Sequence, residues 1–375
     1  MWHKRSDMVV HEADPYNAEP PPSALAGHPF TTADTFYSRN HGAVPHLEPS
    51  SWRLRVDGLV TTPLELSLAD LQQRFPEQHV AATLQCAGAR RAQMDAVRPI
   101  PGEALWSATA TSTAEWTGIS LAAVLEAAGL SGMDGADGAD GADGADDTAH
   151  VAFSAPDVAL EANPPQEYGG SIPLAKARSA EVLLAWAMNG EPLPAVHGGP
   201  VRVVVPGYIG ARSVKWVERV TVQAEPSESF FQAVVYRLLP ADVDPATAAP
   251  GAGFALGPVA LNSDVLSPAD GAHIPAGPTR LAGYAFAGGD RSVARVDVSV
   301  DGGTTWVQAD LDPAASRWTW TLWSVTVSLP PGPAEVVVRA WDDTAACQPE
   351  SVDTVWNPKG YVNNAWGRIR LHVDG

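Results

Sequence analysis

Thr83-Leu-Gln-Cys86-Ala-Gly-Ala-Arg-Arg91 places a thiol just ahead of two adjacent guanidinium groups, and Cys86 is one of only two cysteines in 375 residues. Thiolate is the form of cysteine that ligates a soft metal, and fixed positive charge nearby is expected to favour it by lowering the thiol pKa. Taken alone, a buried cysteine before two surface arginines is more often structural. Other segments change that balance. Phe36-Tyr-Ser-Arg39-Asn40-His41 lies upstream. Downstream run Tyr168-Gly-Gly-Ser171-Ile-Pro-Leu174, then His197-Gly-Gly-Pro-Val-Arg202, then Gly210-Ala-Arg212-Ser213-Val-Lys215. His197, Arg202, Arg212 and Lys215 can present cations or donors to a phosphate, while Ser213 and the glycines let backbone N–H groups approach it. Each Arg or Lys alone is more often a solvated charge. Together, beside the apolar run Val203–Pro206, they suit a phosphate group.

The run TLQCAGARRAQM, ending at Met94, resembles the cysteine loop of the sulfite oxidase family of molybdenum enzymes, which reads TLQCAGNRR with a methionine shortly after. Ala89 stands where the family has asparagine. Phe36–His41 is similar to the family's F(F/Y)xRNH segment, and Trp356-Asn-Pro-Lys359-Gly-Tyr-Val-Asn-Asn-Ala-Trp366, completed by Arg368, resembles its WNxxGxxNNxWxR signature. The likeness covers residues 36 to 375, and its segments keep the family's order.

That resemblance implies a molybdenum centre ligated by Cys86 and by a molybdopterin. The pterin would be held by Phe36, Asn40, His41, Asp157, Ser171, His197, Arg202, Arg212, Ser213 and Lys215. Arg39, Arg91, Trp106 and Lys359 would form an anion pocket, with Tyr236 hydrogen-bonded beside it. The implied reaction is oxidation of sulfite to sulfate by oxygen-atom transfer, with electrons passed one at a time to a separate acceptor, a cytochrome or oxygen. No haem is expected, because neither a b5-like HPGG nor a CxxCH occurs. A nitrate reductase-type centre is the enzymatic alternative. Sulfite oxidases have the phenol at Tyr236, where nitrate reductases usually carry asparagine; at Lys359 the animal sulfite oxidases carry arginine and nitrate reductases methionine. Lysine keeps the charge but lacks the bidentate fork. A non-catalytic binding protein built on a β-sandwich is the alternative outside enzymes.

These residues need a scaffold, and 375 residues exceed what one core supports. Residues 1–35 lack period and read as an extended arm on the surface. Alternating Trp52, Leu54 and Val56 predict a half-buried strand, Ser67-Leu-Ala-Asp70 a capping box opening a helix, and the shared face of Leu121, Val124, Leu125 and Ala128 a second helix ending at Gly129. Residues 36–245 are thus expected to form an α+β molybdopterin-binding domain, interrupted at 134–147 by a Gly-Ala-Asp triplet repeat that reads as a solvated loop. After the Pro- and Ala-rich stretch near Pro240, short β-type runs at 295–300, 318–329 and 335–341 with the turn Asp301-Gly-Gly303 predict an all-β immunoglobulin-like sandwich over 246–375. More than half of the 13 tryptophans fall between Trp306 and Trp366. That exceeds the needs of one small core, so some should line an interface or the neighbouring site, and a homodimer through this domain is expected.

A formal charge of −19 argues against nucleic acid or an anionic membrane as partner. Substrate sulfite must then be attracted locally. Cys86 and Cys347 make no disulfide framework, which fits a reducing compartment. Nothing at the N-terminus resembles a secretory signal and no apolar run is long enough to span a bilayer, so a cytoplasmic location is expected.

Overall fold

In the computed structural model, which describes residues 2–130 and 148–375, the first half of the chain builds two five-stranded sheets. One runs Leu64–Ser67, Arg53–Gly58, Arg219–Gln223, His150–Ala159, Gln166–Pro173 in spatial order. The other runs Glu191–Pro192, Leu183–Met188, Thr111–Ser120, Glu77–Gln85, with Arg202–Val204 also paired to Leu183–Met188. Period-two alternation turns Leu54 and Val56 into the core and Arg53 and Arg55 outward. The capping box forms as read: Asp70 N–H donates to Ser67 Oγ and Ser67 N–H to Asp70 Oδ2, opening the helix Leu68–Arg74. The helix Leu121–Ala128 buries Leu121, Val124, Leu125 and Ala128 and stops at Gly129, whose φ of 65° suits glycine. Each of its buried Leu and Val side chains contributes roughly 1.5–3 kcal/mol of burial free energy.

The second half forms two packed sheets around Leu281, Val296, Trp323, Val336, Val338 and Ile369. One has the order Asn262–Ser267, Gly277–Phe286, Thr321–Leu329, Asp310–Leu311; the other His273–Pro275, Gly367–Asp374, Gly332–Asp342, Val293–Ser299, Val307–Gln308. The tryptophans divide by task. Trp323 fills this core. Trp318 and Trp320 bind the first half, where Thr83 N–H donates to Trp318 O at 2.9 Å and Trp320 N–H to Thr83 Oγ1 at 2.8 Å. Trp306 and Trp366 meet edge to face at 4.9 Å beneath the Arg339 guanidinium.

The N-terminal arm does more than lie on the surface. Val9–Glu12 pairs with Asn17–Glu19, whose three residues are buried, and Ala18 exchanges backbone hydrogen bonds with Ser38, next to Arg39. Glu19 accepts hydrogen bonds from Ser107 and Thr109. Such burial of a stretch without period rests on partners far along the chain, which local patterning does not reveal. The Gly-Ala-Asp repeat at 134–147 lies outside the described residues. Among the described residues no helix is long and apolar enough to cross a membrane.

Candidate active site

The strand Glu77–Gln85 ends at a tight loop that exposes one side of Cys86 to a cavity. Cys86 N–H donates to Ala110 O at 2.9 Å, Ala89 N–H returns to Cys86 O at 3.0 Å, and Gly88 N–H donates to Cys86 Sγ at 3.4 Å. Arg91 then folds back across two glycines. A Cβ at Gly88 would lie 2.6 Å from Arg91 Nη2, and one at Gly360, where φ is 59°, 2.5 Å from Arg91 Cγ. Gly360 is required by its positive φ as well as by this contact, whereas a side chain at Gly88 would push the guanidinium aside.

The sequence expectation of a low thiol pKa is reversed. Burial pushes the Cys86 thiol above its ordinary value, and the charge of Arg91, the Gly88 N–H and Arg39 offset it only in part. A bound soft cation is what would hold this sulfur as thiolate.

The cleft beside Cys86, counted together with the solvent at its open mouth, spans about 660 Å³. Its wall brings together Phe36, Arg39, Asn40, His41, Asp157, His197, Arg202, Ser213, Lys215 and Tyr236 with Cys86, residues drawn from 36 to 236. Strand Arg202–Val204 carries Arg202 into the wall, where its guanidinium donates to His197 O at 2.8 Å and Ser213 O at 3.0 Å; burial lowers it to about 10. Lys215 Nζ donates to Arg39 O at 3.1 Å and to Asn40 Oδ1. Burial holds Lys215 well below its ordinary value, with Arg202 adding repulsion, while burial raises Asp157 to about 6 against the pull of Lys215. Tyr236 follows the π-turn Phe231–Val235, and burial raises its phenol.

Two buried atoms in this wall, Asp157 Oδ1 and Ser38 Oγ, have no hydrogen-bond partner, and Trp106 Nε1 behind Cys86 has none either. Unpaired buried polar atoms beside concentrated cations fit an anionic ligand that also carries donors, as a phosphorylated pterin does. Among the described residues no three His, Cys, Asp or Glu side chains gather to hold a metal. A metal at Cys86 would therefore draw its other donors from such a ligand.

Five of the expected site residues stand outside the wall. Ser171 Oγ accepts from Ser227 N–H at 2.9 Å, supporting the sheet behind the π-turn. Arg212 is fully buried and donates from Nε and Nη2 to Leu256 O at 2.9 and 2.8 Å, tying the two halves together. Trp106 is fully buried, its ring 4.5 Å from His11. Arg91 donates to Lys359 O at 2.9 Å and Ala104 O at 2.8 Å, and Lys359 Nζ pairs with Glu103 at 2.9 Å. Arg91 also lies 3.4 Å from Glu103, so one carboxylate bridges both cations.

Sequence reasoning missed Lys4, Glu103 and Glu161. Lys4 Nζ donates to Ala33 O and Phe36 O and lies 2.6 Å from His197 Nε2; burial lowers it to about 7, with Asp34 opposing. Glu161 contacts His41 Nδ1, whose other nitrogen lies 2.6 Å from Tyr236 Oη. Only the basic character of the first residues could have pointed to Lys4.

His41 makes stability depend on pH. Burial, then Arg39, lowers it to about 4, against an ordinary value of about 6.5. Between those values the unfolded chain binds the proton and the folded chain does not, so stability is full above about pH 6.5 and falls toward pH 4. The slope is up to about 1.4 kcal/mol per pH unit from this residue. Urea unfolding at pH 7 and pH 5 should show a smaller loss for His41→Gln than for the wild type; an identical loss would place the dependence elsewhere.

The comparisons agree with this arrangement. A family model described as oxidoreductase molybdopterin binding domain matches residues 41–231, and one described as Mo-co oxidoreductase dimerisation domain matches 256–374. The chain is 44% identical to sulfite oxidase of Gallus gallus over 96% of its own length and 77% of that protein. It is 41% identical to the mitochondrial sulfite oxidase of Homo sapiens over 98% of its length, spanning 66% of that protein. The sulfane dehydrogenase SoxCD of Paracoccus pantotrophus superposes with a TM-score of 0.80 at 25% identity, over 97% of this chain and 86% of that one. Motif order, cavity and full-length similarity converge: the chain belongs to the sulfite oxidase family of molybdopterin-binding oxidoreductases.

Proposed function

We propose that this protein oxidises sulfite to sulfate at a molybdenum cofactor held by Cys86, passing electrons singly to an external acceptor. The observation that carries the reading is the cavity where Cys86, Arg39 and Tyr236 meet buried cations and unpartnered polar atoms. Bound there, the cofactor would supply oxygen-atom transfer and the two-electron redox change. The chain's residues do the rest. Arg202, Lys215, His197 and Ser213 would hold the phosphate end of the pterin, and Asp157 would accept from its ring N–H groups. Arg39 brings a permanent positive charge beside Cys86, and Arg91 adds to it from the loop. Local cations offset the −19 of the chain, so a small anion is drawn to this one place.

We divide the chain into an arm over 1–35, a catalytic domain over 36–245 and an immunoglobulin-like domain over 246–375 through which two copies pair. Support comes from the two packed sheets and the match to a dimerisation domain. Two free cysteines fit a reducing, cytoplasmic setting. A nitrate-reducing centre is the weaker reading, because a phenol stands at Tyr236 and a cation at Lys359.

Elemental analysis of protein from a host that makes the pterin should find about one molybdenum per chain; none would overturn the assignment. Lys359 tests the anion pocket. Because its ammonium is already paired with Glu103, Lys359→Met should raise KM for sulfite only about two- to tenfold, while Glu103→Gln frees two cations and should lower it. Steady-state kinetics at matched ionic strength, corrected for molybdenum, decide this. Unchanged kcat/KM for Lys359→Met removes Lys359 from the site.

A further inference from the structure

Two groups compete for one nitrogen of His41. Its Nδ1 lies against Glu161 Oε1 and also 3.1 Å from Arg39 Nη2, while Nε2 sits 2.6 Å from the Tyr236 hydroxyl. Phe231, its centroid 4.1 Å away, and Tyr168, stacked at 5.6 Å, hold the imidazole so that both nitrogens face these partners. The charged and titratable groups around the ring are Arg39, Glu161, Glu103, Tyr236 and Tyr168. The buried ring is neutral at physiological pH and carries a single N–H. Burial raises the Glu161 carboxyl, but His41, Arg39 and Lys359 outweigh it and hold it below the usual range.

An ionised carboxylate only accepts and a guanidinium only donates. With Glu161 ionised, the hydrogen sits on Nδ1, and the bare Nε2 accepts the Tyr236 O–H. The phenol oxygen then offers the cavity only lone pairs. Without that carboxylate, Arg39 donates to a bare Nδ1, Nε2–H donates to the phenol oxygen, and the Tyr236 O–H turns into the cavity. We propose that Glu161 is a positioning residue which, through the tautomer of His41, decides whether Tyr236 acts toward the cavity as hydrogen-bond acceptor or donor. The consequence rests on the proposed sulfite reaction: sulfite and sulfate dianions accept only, so the acceptor state withholds one donor from both and limits how tightly either is held. The Glu161 side chain is 47% exposed while that of His41 is 5% exposed, so the carboxylate that sets the tautomer is open to solvent and the ring that carries it is not.

The test compares wild type with Glu161→Met, in molybdenum-loaded protein carrying 15N-labelled histidine. Nitrogen chemical shifts should show Nδ1–H for His41 in the wild type and Nε2–H in the variant. In parallel, Glu161→Met should lower KM for sulfite roughly three- to tenfold, the effect of one added hydrogen bond to an anion, and this gain should vanish in a Tyr236→Phe background. The same tautomer in both proteins overturns the proposal. So does a KM gain that persists with Tyr236→Phe, since the lost negative charge alone would then explain it. The nitrogen shifts need no turnover, so a protein that failed to oxidise sulfite would sink the functional reading and still report on the tautomer.

Discussion

Cys86→Ser should fold normally and lose sulfite turnover. Serine fits the site: the Gly88 N–H that points at Sγ can donate to a hydroxyl, and the loop is fixed by backbone bonds to Ala110 and Ala89 that the substitution leaves alone. A hydroxyl is a poor soft-metal ligand and keeps its proton near neutral pH. Removing groups that merely orient a metal ligand lowers activity roughly 10–100-fold, so losing the ligand itself should exceed that. The pterin contacts assigned to Arg202, Lys215 and Asp157 are untouched, so pterin content should hold. Turnover, molybdenum and circular dichroism measured together check the result, and near wild-type oxidation by the serine variant would refute the ligand assignment.

Arg39→Gln should produce the second largest loss, greater than any change at Lys359. Arg39 lines the cavity, and its charge acts on both Cys86 and Tyr236. Among the described residues no salt bridge engages its guanidinium, whereas Glu103 pairs with both Arg91 and Lys359. A hydrogen bond to a charged group is worth roughly 1.5–3 kcal/mol, so kcat/KM for sulfite should fall about 10–150-fold. The fall should appear mainly in KM if Arg39 binds sulfite and its transition state equally. Arg39→Lys should recover part of it by keeping the charge without the fork. A glutamine variant with wild-type kcat/KM would remove Arg39 from substrate binding.

What was legible in the chain was local. The Ser67 and Asp70 cap, the buried face of Leu121–Ala128 and the β-type runs within Val293–Ser299 and Gly332–Asp342 follow from local pattern, whereas the pairing of those two strands does not. The cavity is legible through motif likeness, which groups wall residues from Phe36 to Tyr236. Sequence could not count burial against charge. Two arginines after Cys86 suggest a low thiol pKa, yet Arg90 turns away to pair with Asp264 at 3.0 Å, and the loss of solvent outweighs the charge of Arg91. Nor could it tell which cations are already engaged: Arg212, expected at the phosphate, is held by the Leu256 carbonyl from the other half of the chain. Lys4, Glu103 and Glu161 sit in segments without period and acquire meaning from partners as far as 193, 256 and 120 residues away.

Sulfite oxidation by the purified, molybdenum-loaded chain with a one-electron dye as acceptor bears most directly on the function proposed here. Sulfate should form in step with sulfite lost, two dye molecules should be reduced for each, and the reduced dye should not drive nitrate to nitrite at a comparable rate. Molybdenum-loaded protein that leaves sulfite unchanged, or that turns over nitrate faster, would contradict it.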